Sequence, residues 1–262
     1  MNRAERLSAV LDLLAESGQI EVDQIVERLG VSPATARRDL DALAQQQLLT
    51  RTRGGAVAHS VAYDLPIRYK NQQNPEAKAA IARAASALVP RGAVIGLCGG
   101  TTATAIADAL MSRADIMEPS PDPSLTVVTN AINIAMQLAM RPQIKTVVTG
   151  GVVHARSYEL VGAYADAVLE HITLDVAFIG VNGVDPVVGP TSHDEREAAV
   201  NALMASRATQ AVLVADASKI DRRAFAAIGR RRLFSTIVTD AGITDEQRQR
   251  LVEGGYDVIV AE

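Results

Sequence analysis

Two stretches of this chain combine residue types and spacing that could do chemistry. The first is Gly30-Val-Ser-Pro-Ala-Thr-Ala-Arg-Arg-Asp-Leu40. Gly30 suits a left-handed turn, Ser32 can cap a helix, and Pro33 fits the first helical position, where no amide hydrogen is needed. Ala36, Leu40 and Leu43 then share a face that must be buried, while Ala34, Arg38 and Gln45 point the other way and Thr35 and Arg37 flank them. Guanidiniums beside a small residue and a hydroxyl can enter a DNA major groove, where arginine reaches base edges and phosphates. The second stretch is Gly99-Gly100-Thr101-Thr102. Glycines let the backbone approach a ligand, and threonines opening a helix supply hydroxyls and free amides for an anion such as phosphate.

The elements around the arginines complete a module. Leu7, Val10, Leu11 and Leu14 repeat at helical spacing up to Gly18, and Gln19–Val22 is a short extended piece. Asp23 is the expected cap of a second helix with Ile25, Val26 and Leu29 on its inner face. After the third helix, Leu48–Val57 has a β-hairpin pattern that turns at Gly54-Gly55 and carries Arg51 and Arg53. Residues 1–58 therefore read as a winged helix-turn-helix domain, with Ser32, Ala34, Thr35, Arg37, Arg38, Arg51 and Arg53 as DNA-contact candidates. The competing reading is a solvated Arg-Arg face, since acidic residues of the first two helices offset the arginines. DNA binding needs a local positive surface, however, and the third helix plus the wing supplies one.

Composition sets bounds. A chain of 262 residues, 48% hydrophobic, accommodates two ordinary domains with a sizeable core. Aromatics make up only 3% and tryptophan is absent, so the core is Ala, Val, Leu and Ile. A net charge of −4 disfavours broad coating of nucleic acid but not a localised reader. The single cysteine, Cys98, permits no internal disulfide and suggests a reducing compartment. With no apolar leader and no long apolar run, the expectation is a cytoplasmic protein without membrane association. His59, His154, His171 and His193 lack metal-ligand spacing, so neither a metal site nor a cofactor is expected.

Residues 59–74 read as a linker with Pro66 and a polar Asn-Gln-Gln-Asn run. From Pro75 onward, an alanine-rich helix at Ala77–Leu88 is followed by apolar runs that alternate with helical patterns. Strands are expected at Ala93–Leu97, Leu125–Thr129, Lys145–Thr149, Val176–Ile179, Ala211–Ala215, Thr236–Thr239 and Asp257–Val260. Helices are expected at Thr102–Met111, Ala131–Ala139, Leu160–Glu170, Asp194–Arg207 and Asp245–Glu253, and the three-proline stretch Met111–Ser124 reads as a surface loop. The fold class is thus α/β, with a mainly parallel sheet covered on both faces in residues 75–262. Ligands of such sheets gather beyond the carboxyl ends of the strands. Those ends carry Gly99–Thr102, Thr129-Asn130, Thr149-Gly150-Gly151, Gly180–Gly183 and Asp216-Ala-Ser-Lys219.

The N-terminal motif resembles the DNA-binding domain of the DeoR family of bacterial sugar-catabolism repressors. Val31, Ser32, Thr35, Arg37, Arg38, Asp39 and Leu40, then Arg51 and Gly54-Gly55-Ala56, carry the likeness. Ala36 replaces the family's more frequent Ile or Val, a small loss of core volume. The C-terminal region resembles the same family's sugar-phosphate-sensing domain, related in fold to ribose-5-phosphate isomerase. Its matching pieces are Lys78-Ala-Ala-Ile81, Gly100-Thr101-Thr102, Thr129-Asn130, Gly150-Gly151, Asp175–Gly180, Glu197-Ala198 and Asp216-Ala-Ser-Lys219. The resemblance implies an effector site in which Gly100, Thr101 and Thr102 cradle a phosphate, with Gly99 beside them as a further candidate. Asn130, Gly151, Glu197, Asp216 and Lys219 complete the set of effector-site candidates. Two departures stand out: Cys98 where many members have Asp, and Asn201 where many have Lys.

The expected function is a non-enzymatic, homo-oligomeric transcriptional repressor that binds double-stranded operator DNA and is controlled by a phosphorylated sugar. The alternative is an aldose–ketose phosphate isomerase with an appended DNA-binding domain, for which Asp185, Glu197 and Asp216 are the available carboxylates. Cys98 as a nucleophile with His193 as base, and Arg230-Arg231-Arg232 as a second nucleic-acid contact, are weaker readings. A buried small hydrophobe and a solvated loop or subunit contact, respectively, are the simpler ones.

Overall fold

A computed structural model describes residues 1–46, 48–57 and 73–262, which fall into two compact units, Met1–Gln73 and Asn74–Glu262. Of the expected linker 59–74, residues 59–72, with His59 and Pro66, lie outside the described residues.

In the first unit, α1 (Arg3–Ser17) starts at an Asn2–Glu5 capping box and ends at Gly18, whose φ of 72° is left-handed. Strand β1 (Gln19–Glu21) leads into α2 (Val22–Leu29), which ends at the left-handed Gly30. The cap of α2 is Glu21, in a capping box with Gln24, not Asp23: the backbone turns helical as soon as β1 ends. Helix α3 (Pro33–Gln45) opens on Ser32, which accepts the Thr35 amide, with Pro33 in the first turn. Its buried face holds Ala36, Asp39, Leu40 and Leu43, packed with Leu7, Val10, Leu11, Leu14 and Ile25 of the other two helices.

Strands β2 (Thr50–Arg51) and β3 (Gly55–Val57) form the wing, and β3 pairs antiparallel with both β2 and β1. The two glycines differ in role. Gly54 sits at the tip with open space around it. Gly55 already belongs to β3 and lies opposite Glu21, where a Cβ would fall 1.9 Å from the Ile20 carbonyl oxygen. Only a residue without a side chain lets β3 approach β1 this closely.

The second unit begins with α4 (Pro75–Ala87). The strands β4 (Val94–Leu97), β5 (Leu125–Thr129), β6 (Ile144–Val148), β9 (Leu174–Gly180), β12 (Ala208–Val214), β14 (Thr236–Asp240) and β15 (Asp257–Ala261) form one sheet. Its order is β15-β14-β12-β9-β4-β5-β6 and every pairing is parallel. Each corresponds to an apolar run expected from the sequence. Ile95, Leu97, Phe178, Ile179, Val212, Leu213, Ile237 and Val238 are fully or almost fully buried, as strands covered on both faces require. The covering helices include α5 (Thr101–Met111), α7 (Ile132–Leu138), α9 (Glu195–Ser206) and α10 (Asp245–Glu253).

Three features depart from expectation. The proline-rich stretch after α5 holds a one-turn helix, α6 (Ala114–Met117). Leu160–Glu170 is not one helix: its start belongs to a hairpin of β7 (Val152–His154) and β8 (Glu159–Val161), and α8 covers only Ala163–Leu169. Gly162, at φ 90°, breaks the chain between strand and helix. Finally, β10 (Gly183–Asp185), β11 (Gly189–Ser192) and β13 (Ala226–Ala227) make a small antiparallel sheet.

The glycine contrast predicts that Gly55→Ala destabilises the first unit by about 1–3 kcal/mol through backbone overlap, whereas Gly54→Ala changes it by less than about 0.5 kcal/mol. Urea denaturation of the two variants, followed by far-UV circular dichroism, checks the difference; equal effects would contradict the strand assignment of Gly55.

Candidate functional site

On α3 the residues expected to meet DNA face outward. Arg37 and Arg38 are exposed, and Arg38 Nε donates to the Ala34 carbonyl at 3.2 Å, which lays the guanidinium along the outer surface. The Ser32 and Thr35 hydroxyls are 2.9 Å apart and buttress the helix start. Arg53 is exposed near the wing tip. Arg51 is engaged within the fold: its Nε donates to Asp41 Oδ1 at 2.8 Å and its Nη1 donates to the Gly55 carbonyl. It ties the wing to α3, so its nearest role is positional.

Asp39 is a residue that sequence reasoning quoted without assigning. It is 2% exposed and accepts two bonds from Arg6, from Nε at 2.5 Å and Nη2 at 3.1 Å. The hydrogen bond to Asp39 raises the Arg6 pKa further above its ordinary value. A buried carboxylate must be paired, and this pair locks the recognition helix onto α1. The signal was available: Asp39 shares the apolar face of Ala36, Leu40 and Leu43.

In the second unit, the chain leaves β4 through Cys98 and Gly99 and enters α5 at Gly100, whose φ of 102° only glycine adopts readily. The α5 first turn, Thr101 to Ala103, has amides without intrahelical acceptors, the ordinary condition of a helix start. Around this turn lies a polar cluster. Glu159 of β8 is 4% exposed and rests on Gly99, where a Cβ would fall 2.2 Å from Glu159 Cγ. Asn130, beyond β5, donates from Nδ2 to Glu159 Oε2 at 3.0 Å, while its buried Oδ1 meets no donor among the described residues.

Glu197 of α9 bonds His154 Nδ1 at 2.7 Å and accepts from the Ser192 hydroxyl at 3.3 Å. Asp194 caps α9 through the amides of Arg196 and Glu197 and lies 3.9 Å from His154 Nε2. Burial pushes the Asp194 pKa up, but Arg196 and those amides outweigh it and hold the carboxyl below its usual range. His154 lies opposite Glu159 in the β7–β8 hairpin, so the group that holds Glu197 adjoins the carboxylate resting on the turn.

The structure thus brings Gly99–Thr102, Asn130 and Glu197 together. Glu159, His154, Ser192 and Asp194 join them, and sequence reasoning placed none of these in the site. Gly151 has another explanation: at φ 131° it packs on β8, and a Cβ would fall 2.9 Å from the Val161 backbone. Asp216 lies at the end of β12. It accepts from the Ser218 amide at 3.1 Å and from Asn74 Nδ2 at 3.2 Å, capping the 3₁₀ turn Ala217–Lys219. With Asn74, Glu76, Arg83 and Asp240 it lines a cavity of about 640 Å³, and neither the glycine-threonine turn nor Glu197 borders that cavity. Lys219 is partly buried at the end of the same 3₁₀ turn.

Cys98 is not a nucleophile. It is fully buried, donates to the Gly99 carbonyl and accepts the Gly180 amide at 3.0 Å, and burial above all pushes its thiol pKa far up. Two of the three isomerase carboxylates, Asp185 and Asp216, are committed elsewhere. Asp185 is held down to about 2, first by the Arg223 hydrogen bond and then by the amides of Val188 and Val187; Asp216 caps its turn. In the Arg230–Arg232 run, Arg231 lies over the Tyr256 ring at 5.2 Å, an intramolecular packing contact.

His154 carries a pH-dependent link between the β7–β8 hairpin and α9. Its pKa is raised from 6.5, chiefly by the Glu197 hydrogen bond, against the opposing effect of burial. A raised folded-state value means that this stabilisation is complete below the unfolded value of 6.5 and is lost as pH rises through the folded one. Thermal melts of the full chain from about pH 6 to 9 are expected to show it. The melting temperature of the wild type falls more steeply with pH than that of His154→Gln; parallel profiles would contradict the coupling.

Comparison with known proteins agrees with this anatomy. The DeoR-like helix-turn-helix domain model matches residues 6–61, and the DeoR C terminal sensor domain model matches residues 73–241. The chain is 32% identical over 257 residues to the HTH-type transcriptional regulator GlpR of Haloferax volcanii, covering 98% of this chain and 97% of that protein. It is 28% identical over 241 residues to the glycerol-3-phosphate regulon repressor of Escherichia coli, covering 92% of each. Among solved structures, ribose 5-phosphate isomerase A of Methanocaldococcus jannaschii aligns with a TM-score of 0.41 and 22% identity, over 56% of this chain and 55% of that one. The sequence matches, rather than that superposition, carry the conclusion that this chain belongs to the DeoR family of DNA-binding transcriptional regulators, with an N-terminal helix-turn-helix and a C-terminal sensor domain.

Proposed function

We propose that the protein represses an operon for sugar or polyol catabolism and that a phosphorylated carbohydrate bound in the sensor domain controls it. The observation that carries this reading is the turn Gly99–Thr102 at the head of α5, which has helix-start amides free of intrahelical acceptors and is walled by Glu159 and Asn130. The turn suits a phosphate and the polar wall suits hydroxyl groups. That a relative is named a glycerol-3-phosphate regulon repressor supports the same ligand class.

In this reading Arg37 and Arg38, with Ala34, Thr35 and Ser32, meet the major groove, and Arg53 meets the backbone beside it. Arg51 contributes mainly by holding the wing in place. Gly151 lets the chain pack on β8, and Asp216 caps the turn that ends at Lys219, so these residues act on the sensor domain's own folding rather than on the ligand. Operator half-sites call for a homo-oligomer, and the chain exposes apolar surface suited to one. Val148 on the open edge strand, Val152 and Val153 of the hairpin and Met136 of α7 are all exposed. Action on DNA fits a cytoplasmic protein. Control further requires that the ligand bind the DNA-competent and DNA-incompetent arrangements with different affinity.

Gel shifts with operator DNA and a panel of phosphorylated sugars test this. Arg38→Ala is expected to weaken DNA binding by about tenfold or more and to leave ligand-induced thermal stabilisation intact. Thr101→Val is expected to do the reverse. Absence of any change in DNA binding across the panel would count against the sensing role, and loss of both activities in each variant would count against the separation of roles.

A further inference from the structure

We propose that the sensor domain carries a second DNA-contacting surface, built from Arg222, Arg230 and Arg232, which holds backbone phosphates without reading bases. The inference goes beyond the regulatory reading above and needs no effector. The segment 222–232 contains five arginines and no carboxylate. The turn of the β10–β11 hairpin brings its two arginine groups together, because the register there sets Asp185 opposite Gly189. On one side, Arg223 Nε donates to Asp185 Oδ2 at 2.7 Å. On the other, a Cβ at Gly189 would fall 3.2 Å from Arg231 Cβ. Strand β13 lies between the two groups and pairs with β11, which fixes both ends of the segment.

The arginines divide by task. Arg223 neutralises Asp185, Arg250 neutralises Asp221 at 2.6 Å, and Arg231 lies over the Tyr256 ring. Glu253, at the end of α10, accepts from Gln249 and offsets only part of the surplus. Arg222, Arg230 and Arg232 are exposed and form no ion pair among the described residues. The N-terminal domain, by contrast, is short of cations. Residues 1–58 hold seven arginines, no lysine and eight carboxylates, and Arg6 and Arg51 are spent on Asp39 and Asp41. Affinity for a duplex rests largely on how many phosphates are neutralised, and guanidinium suits phosphate. DNA held by the helix-turn-helix is at high effective concentration for other cations of the same chain, which favours a duplex over an acidic protein as the occupant. Phe225, 75% exposed in the same segment, adds an apolar contact for deoxyribose.

The test follows binding of the full-length protein to a fluorescein-labelled duplex of random sequence by anisotropy across a salt series. The patch variant combines Arg222→Gln, Arg230→Gln and Arg232→Gln. A control combining Arg91→Gln, Arg141→Gln and Arg156→Gln removes the same charge from exposed positions elsewhere in the domain. Each phosphate contact adds about 0.9 to the slope of log affinity against log salt, so the patch variant is expected to lose about two or more in slope and each single substitution about one. The control is expected to lose less than about 0.5. A smaller loss in the patch variant, or an equal loss in the control, overturns the proposal. A lower sedimenting mass for the patch variant than for the wild type also overturns it, by making these arginines a subunit contact. If the wild type does not bind the duplex at low salt, DNA binding itself fails, and this inference fails with it.

Discussion

In a sheet whose described strands all run in one direction, every carboxyl end emerges on the same rim. The sensor domain depends on that constraint. It sets the turn after β4, Asn130 beyond β5 and Gly180 at the end of β9 side by side, because β4 lies between β5 and β9. The rim is also where α5 begins, so unpaired helix-start amides face the same space. Side chains from elsewhere then close around it: the β7–β8 hairpin brings Glu159 onto Gly99, and α9 brings Glu197 to His154. The two glycines there differ in role: a Cβ at Gly99 would overlap Glu159, whereas Gly100 has open space around it and is set by its positive φ.

The N-terminal unit applies a related economy. A recognition helix must expose its cations while being held rigidly enough to present them. Here α3 alternates the two tasks along one motif: Arg37 and Arg38 point outward, and the neighbouring Asp39 turns inward to a bidentate Arg6. The wing is fixed by Arg51, which bonds both α3, through Asp41, and the strand β3, through the Gly55 carbonyl. Rigid presentation lowers the conformational entropy that docking must overcome.

Much of this was legible in the sequence. The seven strands of the sheet each stand out as continuous apolar runs, because a strand buried on both faces needs no alternation. The caps at Gly18, Ser32 and Gly30 follow from local backbone chemistry. What was illegible is what depends on pairing at a distance. Glu159 and Leu160 continue the apolar-polar texture of the following helix, and only the partnership of β7 with β8 and the kink at Gly162 set them apart. For the same reason the roles of Glu159 and His154 carry no local signal. Their partners, Gly99, Asn130 and Glu197, lie on other elements, so no local spacing announces the cluster. Conversely, the strand-end pattern aligns Asp216 and Lys219 with the glycine-threonine turn, yet the structure sets Asp216 beside Asn74 and Asp240.

The central claim is that the opening turn of α5 receives an anion. Titration of the ¹⁵N-labelled full-length protein with inorganic phosphate, followed by TROSY spectra, reads it directly. The backbone amides of Thr101, Thr102 and Ala103 are expected to move downfield together and to saturate. If those three resonances stay fixed while amides in other parts of the sensor domain respond, the claim is wrong.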